Sequence, residues 1–74
     1  MKEVIGFLKA NGFKKIEPGS YVNDICNVVI RDGQYAVSNN NGDAVYSKDL
    51  SIYWLIGVLT YYGYMDKNYK QLNK

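Results

Sequence analysis

The chain offers few side chains that could carry out covalent or acid–base chemistry. It contains a single cysteine, Cys26, and no histidine, so no imidazole can activate the thiol and the commonest general base is missing. Cys26 also falls on the apolar side of a predicted strand, which indicates a buried, unreactive thiol. The carboxylates are scattered, and several fall in predicted turns or at a helix start. We therefore expect that the protein is not an enzyme.

One stretch is close in composition to a calcium-binding loop, because residues 39–43, NNNGD, are rich in side-chain oxygen atoms. It lacks the alternating carboxylates and the terminal glutamate of an EF-hand, and a hairpin turn explains it better. The spacing of the glycines does not match a phosphate-binding loop. The sequence thus predicts no metal site and no cofactor.

The strongest pattern is the apolar run of residues 50–64, LSIYWLIGVLTYYGY. Apolar residues at helical spacing form one stripe of a predicted helix, but the rest of its surface is apolar too. The run is shorter than the roughly 20 residues that cross a bilayer. The stripe consists of Ile52, Leu55, Ile56, Leu59 and Tyr62.

The second surface of this helix is rich in the residue types that are enriched where proteins meet. One interpretation is that part of it contacts another protein or a second copy of the chain, in the simplest case as a symmetric homodimer. The other is that these aromatic side chains belong to the core. The candidate contact residues are Tyr53, Trp54, Val58 and Tyr61.

A glycine lies in the middle of each predicted helix, Gly6 in the first and Gly57 in the second. Glycine costs a helix about 1 kcal/mol relative to alanine at such a position, so it needs a physical reason. We expect that the helices approach each other or the sheet closely at these two points.

The elements that position these residues predict an α+β domain of order α-β-β-β-α. It is expected to be a two-layer sandwich, in which an antiparallel β-meander packs one face on two helices. Lys2–Ala10 has the apolar spacing of a short amphipathic helix. Tyr21 and Val22 are expected to form a short extra edge strand after a turn at residues 17–20. The second helix is expected to begin with Asp49 or Ser47 as its N-cap.

Two hairpin turns set the predicted strand register. The turn at Asp32 and Gly33 pairs Val28 with Val37, and the turn at residues 41 and 42 pairs Val37 with Tyr46. This register collects the apolar side chains on the sheet face that packs on the helices. The predicted core-facing residues are Cys26, Val28, Ile30, Tyr35, Val37, Ala44 and Tyr46.

The net charge of +2 comes from the end of the chain. In residues 1–64, the predicted compact domain, six basic and six acidic side chains cancel. Residues 65–74 are predicted to form a polar, basic C-terminal tail, which contains three lysines and one aspartate. This tail allows an alternative function, weak nucleic-acid binding. The candidate residues are Arg31, Lys67, Lys70 and Lys74.

Nucleic acid is the less favoured partner in this interpretation. Proteins that bind single strands combine exposed aromatic rings with a basic groove. The predicted register leaves Arg31 on the open face of the sheet without an aromatic neighbour. A solvated, solubilising tail therefore explains the lysines better.

Residues 45–57, VYSKDLSIYWLIG, and residues 59–63, LTYYG, resemble small uncharacterised proteins of bacteriophages and mobile elements of gut bacteria. The resemblance implies an accessory role in a phage or prophage, but no activity and no catalytic residues. The lone cysteine and the absence of a leader pattern favour a cytoplasmic protein that does not enter a membrane. We therefore expect a small non-enzymatic intracellular accessory protein, acting as a protein-protein interaction module.

Overall fold

A computed structural model describes residues 2–31, 33–49 and 51–65 of the chain. Within them five strands form one antiparallel sheet, in the order β1-β2-β3-β4-β5, and two helices flank the strands in sequence. The predicted α+β class is confirmed. The elements are α1 (Lys2–Ala10), β1 (Lys14–Glu17), β2 (Ser20–Val22), β3 (Cys26–Arg31), β4 (Gln34–Asn39), β5 (Ala44–Ser47) and α2 (Ile52–Tyr61).

The predicted order α-β-β-β-α is wrong in its number of strands, because a hairpin of β1 and β2 precedes the predicted meander. The residues of β1, KKIE, are all exposed and show no apolar alternation, so they give no strand pattern. Tyr21 and Val22 belong to β2, which pairs with β1 on one side and β3 on the other. They therefore lie in an inner strand and not at the edge of the sheet.

The core is a single cluster to which both helices and the sheet contribute. In the sheet the buried side chains alternate along the strands, as in Tyr21, Val28 and Val37, which lie next to one another on β2, β3 and β4. The cluster extends to Met65, and residues 66–74 of the predicted tail lie outside the described residues. Its members are Val4, Phe7, Leu8, Phe13, Tyr21, Cys26, Val28, Tyr35, Val37, Leu55, Leu59, Tyr64 and Met65.

Both helices end in the same way. The N–H of Phe13 donates to the Leu8 carbonyl at 3.0 Å, and the N–H of Tyr64 donates to the Leu59 carbonyl at 2.8 Å. These are the hydrogen bonds of a Schellman ending, in which a glycine precedes each aromatic residue. The aromatic residue after each reversal, Phe13 or Tyr64, is buried.

The start of α2 differs from the prediction. Its N-cap is Ser51, whose hydroxyl accepts a hydrogen bond from the Trp54 N–H at 3.4 Å, so the predicted cap at Asp49 or Ser47 is wrong. The Ser47 hydroxyl instead accepts from the Asp49 N–H at 3.1 Å and makes a turn before the helix. α2 has 10 residues, and no helix of the described residues is long and apolar enough to span a membrane.

The register of the first hairpin is confirmed, since Val28 pairs with Val37. The register of the second hairpin is wrong by one residue, because Val37 pairs with Val45 and not with Tyr46. Side chains alternate along a strand, so the shift moves Ala44 and Tyr46 from the core face to the open face of the sheet. Tyr46 is accordingly 67% exposed.

Asn39 accounts for the shifted register. Its Oδ1 accepts hydrogen bonds from the N–H groups of Asn41 at 2.9 Å and Asp43 at 3.1 Å, and its own N–H donates to the Asp43 carbonyl at 3.0 Å. These bonds close a three-residue loop, in which Gly42 has a φ of 89°. Loops of this length combine a turn with a bulge at a left-handed glycine. The predicted two-residue turn therefore does not form.

Candidate interaction surface

The four predicted contact residues of α2 divide into two pairs. Tyr53 and Tyr61 point to solvent, with 78% and 82% of their surface exposed. Trp54 and Val58 are half-buried and pack against the core. Two of the candidates are thus free to contact another molecule, and the other two contribute to the packing of the domain itself.

Trp54 is fixed by an aromatic partner in the sheet. The centroid of its ring lies 5.8 Å from that of Tyr35, and the two ring planes are 5° from parallel. Tyr35 lies on β4 and is fully buried. Stacked pairs at this separation stabilise a fold beyond the area that they bury. The stack therefore helps to anchor α2 on the sheet, and the fully buried Leu55 and Leu59 orient the same side of the helix inward.

The outward side of α2 is a row of exposed residues that we call the outer α2 surface, Tyr53, Gly57, Thr60 and Tyr61. Three of them are spaced four residues apart and so lie above one another on one face. Nothing beyond the helix's own backbone lies within 4 Å of where a methyl group on Gly57 would sit. The predicted close approach of Gly57 to another part of the domain is therefore wrong within the described residues. Because Gly57 has no side chain, it leaves a gap in the outer α2 surface between Tyr53 and Tyr61, which we call the notch.

The spacing of Tyr53 and Tyr61 along the α2 axis is comparable to the diameter of a helix. Eight residues separate Tyr53 from Tyr61, which is about 12 Å along the axis, and a helix with its side chains is about 10–12 Å across. The Tyr61 ring packs edge-on against Tyr62 at a centroid distance of 5.0 Å, and Tyr62 stacks on Tyr64 at 5.4 Å. One wall of the notch is thus held by its neighbours, which lowers the entropy cost of binding there.

The segment of the chain that carries the outer α2 surface has no charged side chain. Residues 51–65 contain no aspartate, glutamate, lysine or arginine. The centres of protein interfaces are depleted of charged residues and enriched in tyrosine and tryptophan, since charges are costly to remove from water. The composition of this surface matches that of an interface centre.

No family model, curated protein or solved structure matches this chain. A proposal of function therefore has to rest on the described residues of this chain alone. They contain no group of three or more histidine, cysteine, aspartate and glutamate side chains that could hold a metal ion. Cys26 is buried, and burial raises its pKa from 9.0 to about 12, so the thiol stays protonated at neutral pH.

The second predicted surface lies only partly within the described residues, because Lys67, Lys70 and Lys74 fall outside them. Arg31 is exposed at the end of β3. Contrary to the sequence prediction, it has an aromatic neighbour, since Arg31 and Tyr46 line the same shallow depression of about 170 Å³. The sequence misses this pair because the predicted register places Tyr46 on the other face. The remaining lining residues are Val29, Gln34, Tyr35 and Ala36.

Two asparagines whose role the sequence does not predict, Asn23 and Asn39, hold the segment after α2. Asn23 donates through Nδ2 to the Tyr64 carbonyl at 2.6 Å, and Asn39 donates through Nδ2 to the Tyr64 hydroxyl at 2.8 Å. The Oδ1 of Asn23 also accepts from the N–H groups of Ile25 and Cys26. The side chains of Asn23 and Asn39 therefore have a structural role, because they fix the position of Tyr64 after α2.

Proposed function

We propose that the protein is a small non-enzymatic interaction module that binds a helix of another protein through the outer α2 surface. The observation that carries the proposal is the exposed row of Tyr53, Gly57 and Tyr61. Each tyrosine offers about 150–250 Å² of surface that a partner can bury. The two tyrosines lie on either side of Gly57, about 12 Å apart along the helix axis, and residues 51–65 contain no charge that would have to be desolvated.

Gly57 favours a partner that approaches closely. Glycine costs α2 about 1 kcal/mol relative to alanine, and packing among the described residues does not require it, since a methyl group has room there. Packed helices lie about 8–10 Å apart, depending on the side chains at the contact. A small residue at the crossing point lets a partner helix come close while its flanks contact the rings of Tyr53 and Tyr61.

The proposal includes the predicted two-layer arrangement, with both helices on one face of the sheet. It is supported by the buried strand residues, which alternate and join the buried residues of both helices in one cluster. In this arrangement the outer α2 surface faces away from the sheet. A partner helix therefore reaches it without opening the domain.

We place this module inside the cell, as an accessory protein encoded by a phage or mobile element. The resemblance of residues 45–57 and 59–63 to such proteins supports the role. A buried, unpaired cysteine suits a reducing compartment. Cell fractionation with an antibody against the native chain tests the location, and recovery outside the cytoplasm would contradict it.

The interaction is tested with variants that alter the notch. Gly57→Leu fills the notch and keeps a good helix former, so we expect a folded domain that no longer captures its partner. Tyr61→Ser removes one wall and should weaken binding at least tenfold. The matched control is Ile16→Ser, which removes a side chain that is 61% exposed on β1. Capture from a lysate of the source organism is followed by calorimetric titration of the captured protein.

Two outcomes decide the test. Loss of binding in Gly57→Leu and Tyr61→Ser, with wild-type affinity in Ile16→Ser, supports the outer α2 surface as the contact surface. Wild-type affinity in both α2 variants contradicts it. Circular dichroism of each variant ensures that a loss of binding is not a loss of folding.

A second function, weak binding of single-stranded nucleic acid, is favoured by the exposed Tyr46 beside Arg31. Stacking of a base on an aromatic ring next to a basic side chain is typical of such proteins. We expect a labelled oligonucleotide to bind at low salt and to dissociate as salt rises. Arg31→Ala, Tyr46→Ala and deletion of residues 66–74 should each weaken this binding. No detectable binding at low salt would exclude the function.

A further inference from the structure

The two edges of the sheet differ in their protection against pairing with another strand. In β1, at one edge, Lys14, Lys15 and Glu17 are exposed, and the pairing register shifts between Lys15 and Glu17, which indicates a bulge at Ile16. Charges and bulges on an edge strand prevent a further strand from adding to it. The strand at the other edge, β5, has the sequence AVYS, with no charge, no proline and an unshifted register to β4.

The hydrogen bonds of the second hairpin show which backbone groups of β5 face outward. The N–H of Asn39 donates to the Asp43 carbonyl, and antiparallel pairs alternate between bonded and non-bonded from there on. Val45 therefore bonds to β4, whereas the N–H and C=O groups of Ala44 and Tyr46 point away from the sheet. Both of these residues are exposed. Within the described residues, no strand lies on that side of β5.

We infer that β5 pairs with β5 of a second copy, antiparallel and about a two-fold axis, so that one sheet continues through both copies. Val45 lies opposite its symmetry mate at the axis, and Ala44 lies opposite Tyr46 of the second copy. In this register each outward N–H of one strand meets an outward carbonyl of the other. The contact surface is separate from the outer α2 surface, so the inference does not depend on the proposed function.

Side-chain size and charge fit a second copy. Directly opposed residues of an antiparallel pair lie on the same face, so the small Ala44 faces the large Tyr46 of the other copy. The two Tyr46 rings are then diagonal neighbours, about 7–8 Å apart at their backbones and within reach of each other. β5 carries no charge, so no like charges meet across the axis. The same pairing at β1 would bring lysines of the two copies together.

A strand-edge contact is a small interface, below about 1,200 Å², so we expect a reversible dimer with a dissociation constant on the order of 10–100 µM. Sedimentation equilibrium of the full chain up to about 1 mM should show twice the monomer mass of 8.5 kDa. Ala44→Pro removes an outward N–H at the first residue of the strand, where proline is tolerated, and should be monomeric. Ala44→Ser keeps that N–H and serves as the matched control, which should remain dimeric.

Disulfide trapping tests the register without relying on proline. Val45→Cys brings two thiols together across the axis at a Cα separation of about 4.5 Å, which suits a disulfide. Tyr46→Cys separates them by about 7–8 Å, too far for an unstrained bond. We expect rapid covalent dimer formation with Val45→Cys and slow formation with Tyr46→Cys. The native Cys26 is buried and should not interfere.

Three results would overturn the inference. They are a monomeric wild-type chain at about 1 mM, a dimer that persists in Ala44→Pro, and faster crosslinking of Tyr46→Cys than of Val45→Cys. A dimer that is lost in Tyr61→Ser but kept in Ala44→Pro would assign self-association to the outer α2 surface instead. Partner capture by that surface is measured separately, so failure of either proposal leaves the other testable.

Discussion

The rings of Tyr35 and Trp54 stack at a centroid distance of 5.8 Å, and this contact joins α2 to β4, the strand next to the edge strand β5. It determines the role of the largest side chain of α2. The sequence places Trp54 among the contact residues, whereas the stack on a fully buried tyrosine gives it a structural role. Tyr53, its neighbour in sequence, is exposed for the same reason, because consecutive residues on a helix face different directions.

The stack predicts unequal effects of mutations at these neighbouring positions. Trp54→Ala should lower the free energy of unfolding by about 2–3 kcal/mol, because it uncovers Tyr35 and removes a half-buried ring. Tyr53→Ala should change it by less than about 0.5 kcal/mol, since the side chain is mostly exposed. Urea denaturation followed by circular dichroism measures both. Equal losses in the two variants would contradict the assignment of Trp54 to the core.

The hydroxyl groups of Tyr35 and Tyr64 predict opposite results for the same chemical change. The Tyr35 hydroxyl is buried and has no hydrogen-bond partner among the described residues. The Tyr64 hydroxyl accepts a hydrogen bond from Asn39 at 2.8 Å. Tyr35→Phe should therefore be neutral or raise the free energy of unfolding by about 1 kcal/mol, whereas Tyr64→Phe should lower it by about 1 kcal/mol. Thermal unfolding of the two variants side by side tests this, and a large loss in Tyr35→Phe would reveal a hidden partner of that hydroxyl.

Local signals in the sequence are enough for α1, for the ends of both helices and for the first hairpin. The Asp32 and Gly33 pair sets the register of β3 and β4, although Asp32 itself lies outside the described residues. The helix endings follow from a glycine before an aromatic residue. These features depend on neighbours within a few positions, and such short-range preferences can be seen in the sequence.

Features that depend on side-chain hydrogen bonds or on distant contacts could not be predicted. The loop before β5 follows from the hydrogen bonds of Asn39 to residues 41 and 43, which compete with the two-residue turn. The resulting shift of one residue moved Tyr46 to the face of Arg31 and changed one of the two candidate sites. The division of the α2 aromatic residues depends on Tyr35, which is distant in sequence from all of them.

Burial of Cys26 predicts a loss of stability in alkali. Its pKa is raised from 9.0 to about 12, so the folded state keeps a proton that the unfolded state releases above about pH 9. The free energy of unfolding should then fall by up to about 1.4 kcal/mol per pH unit as the pH rises from 9 towards 12. Cys26→Ala should show a shallower fall in urea titrations between pH 9 and 11. Burial also raises the pKa of Tyr35, which contributes to the slope in both proteins. Identical slopes would show that the thiol ionises equally in both states.

Gly57 and Gly19 predict opposite results for substitution by alanine. At Gly57 the methyl group has open space and alanine is the better helix former, so Gly57→Ala should raise the free energy of unfolding by about 1 kcal/mol. At Gly19 the backbone has a φ of 80°, and a methyl group would lie 2.7 Å from the Ile30 carbonyl oxygen, so backbone would have to move. That oxygen belongs to the neighbouring strand β3, and the N–H of Ile30 also donates to the Gly19 carbonyl at 2.8 Å.

Gly19→Ala should therefore lower the free energy of unfolding by about 2–4 kcal/mol, because the strained backbone and the disrupted strand pairing add together. Thermal and urea unfolding of both variants measure the pair. A gain in stability in Gly57→Ala, combined with weaker partner binding, would show that Gly57 serves binding at the expense of the fold. A loss of stability in Gly57→Ala would mean that this glycine is required by the domain itself, and the outer α2 surface would lose its main support as a contact surface.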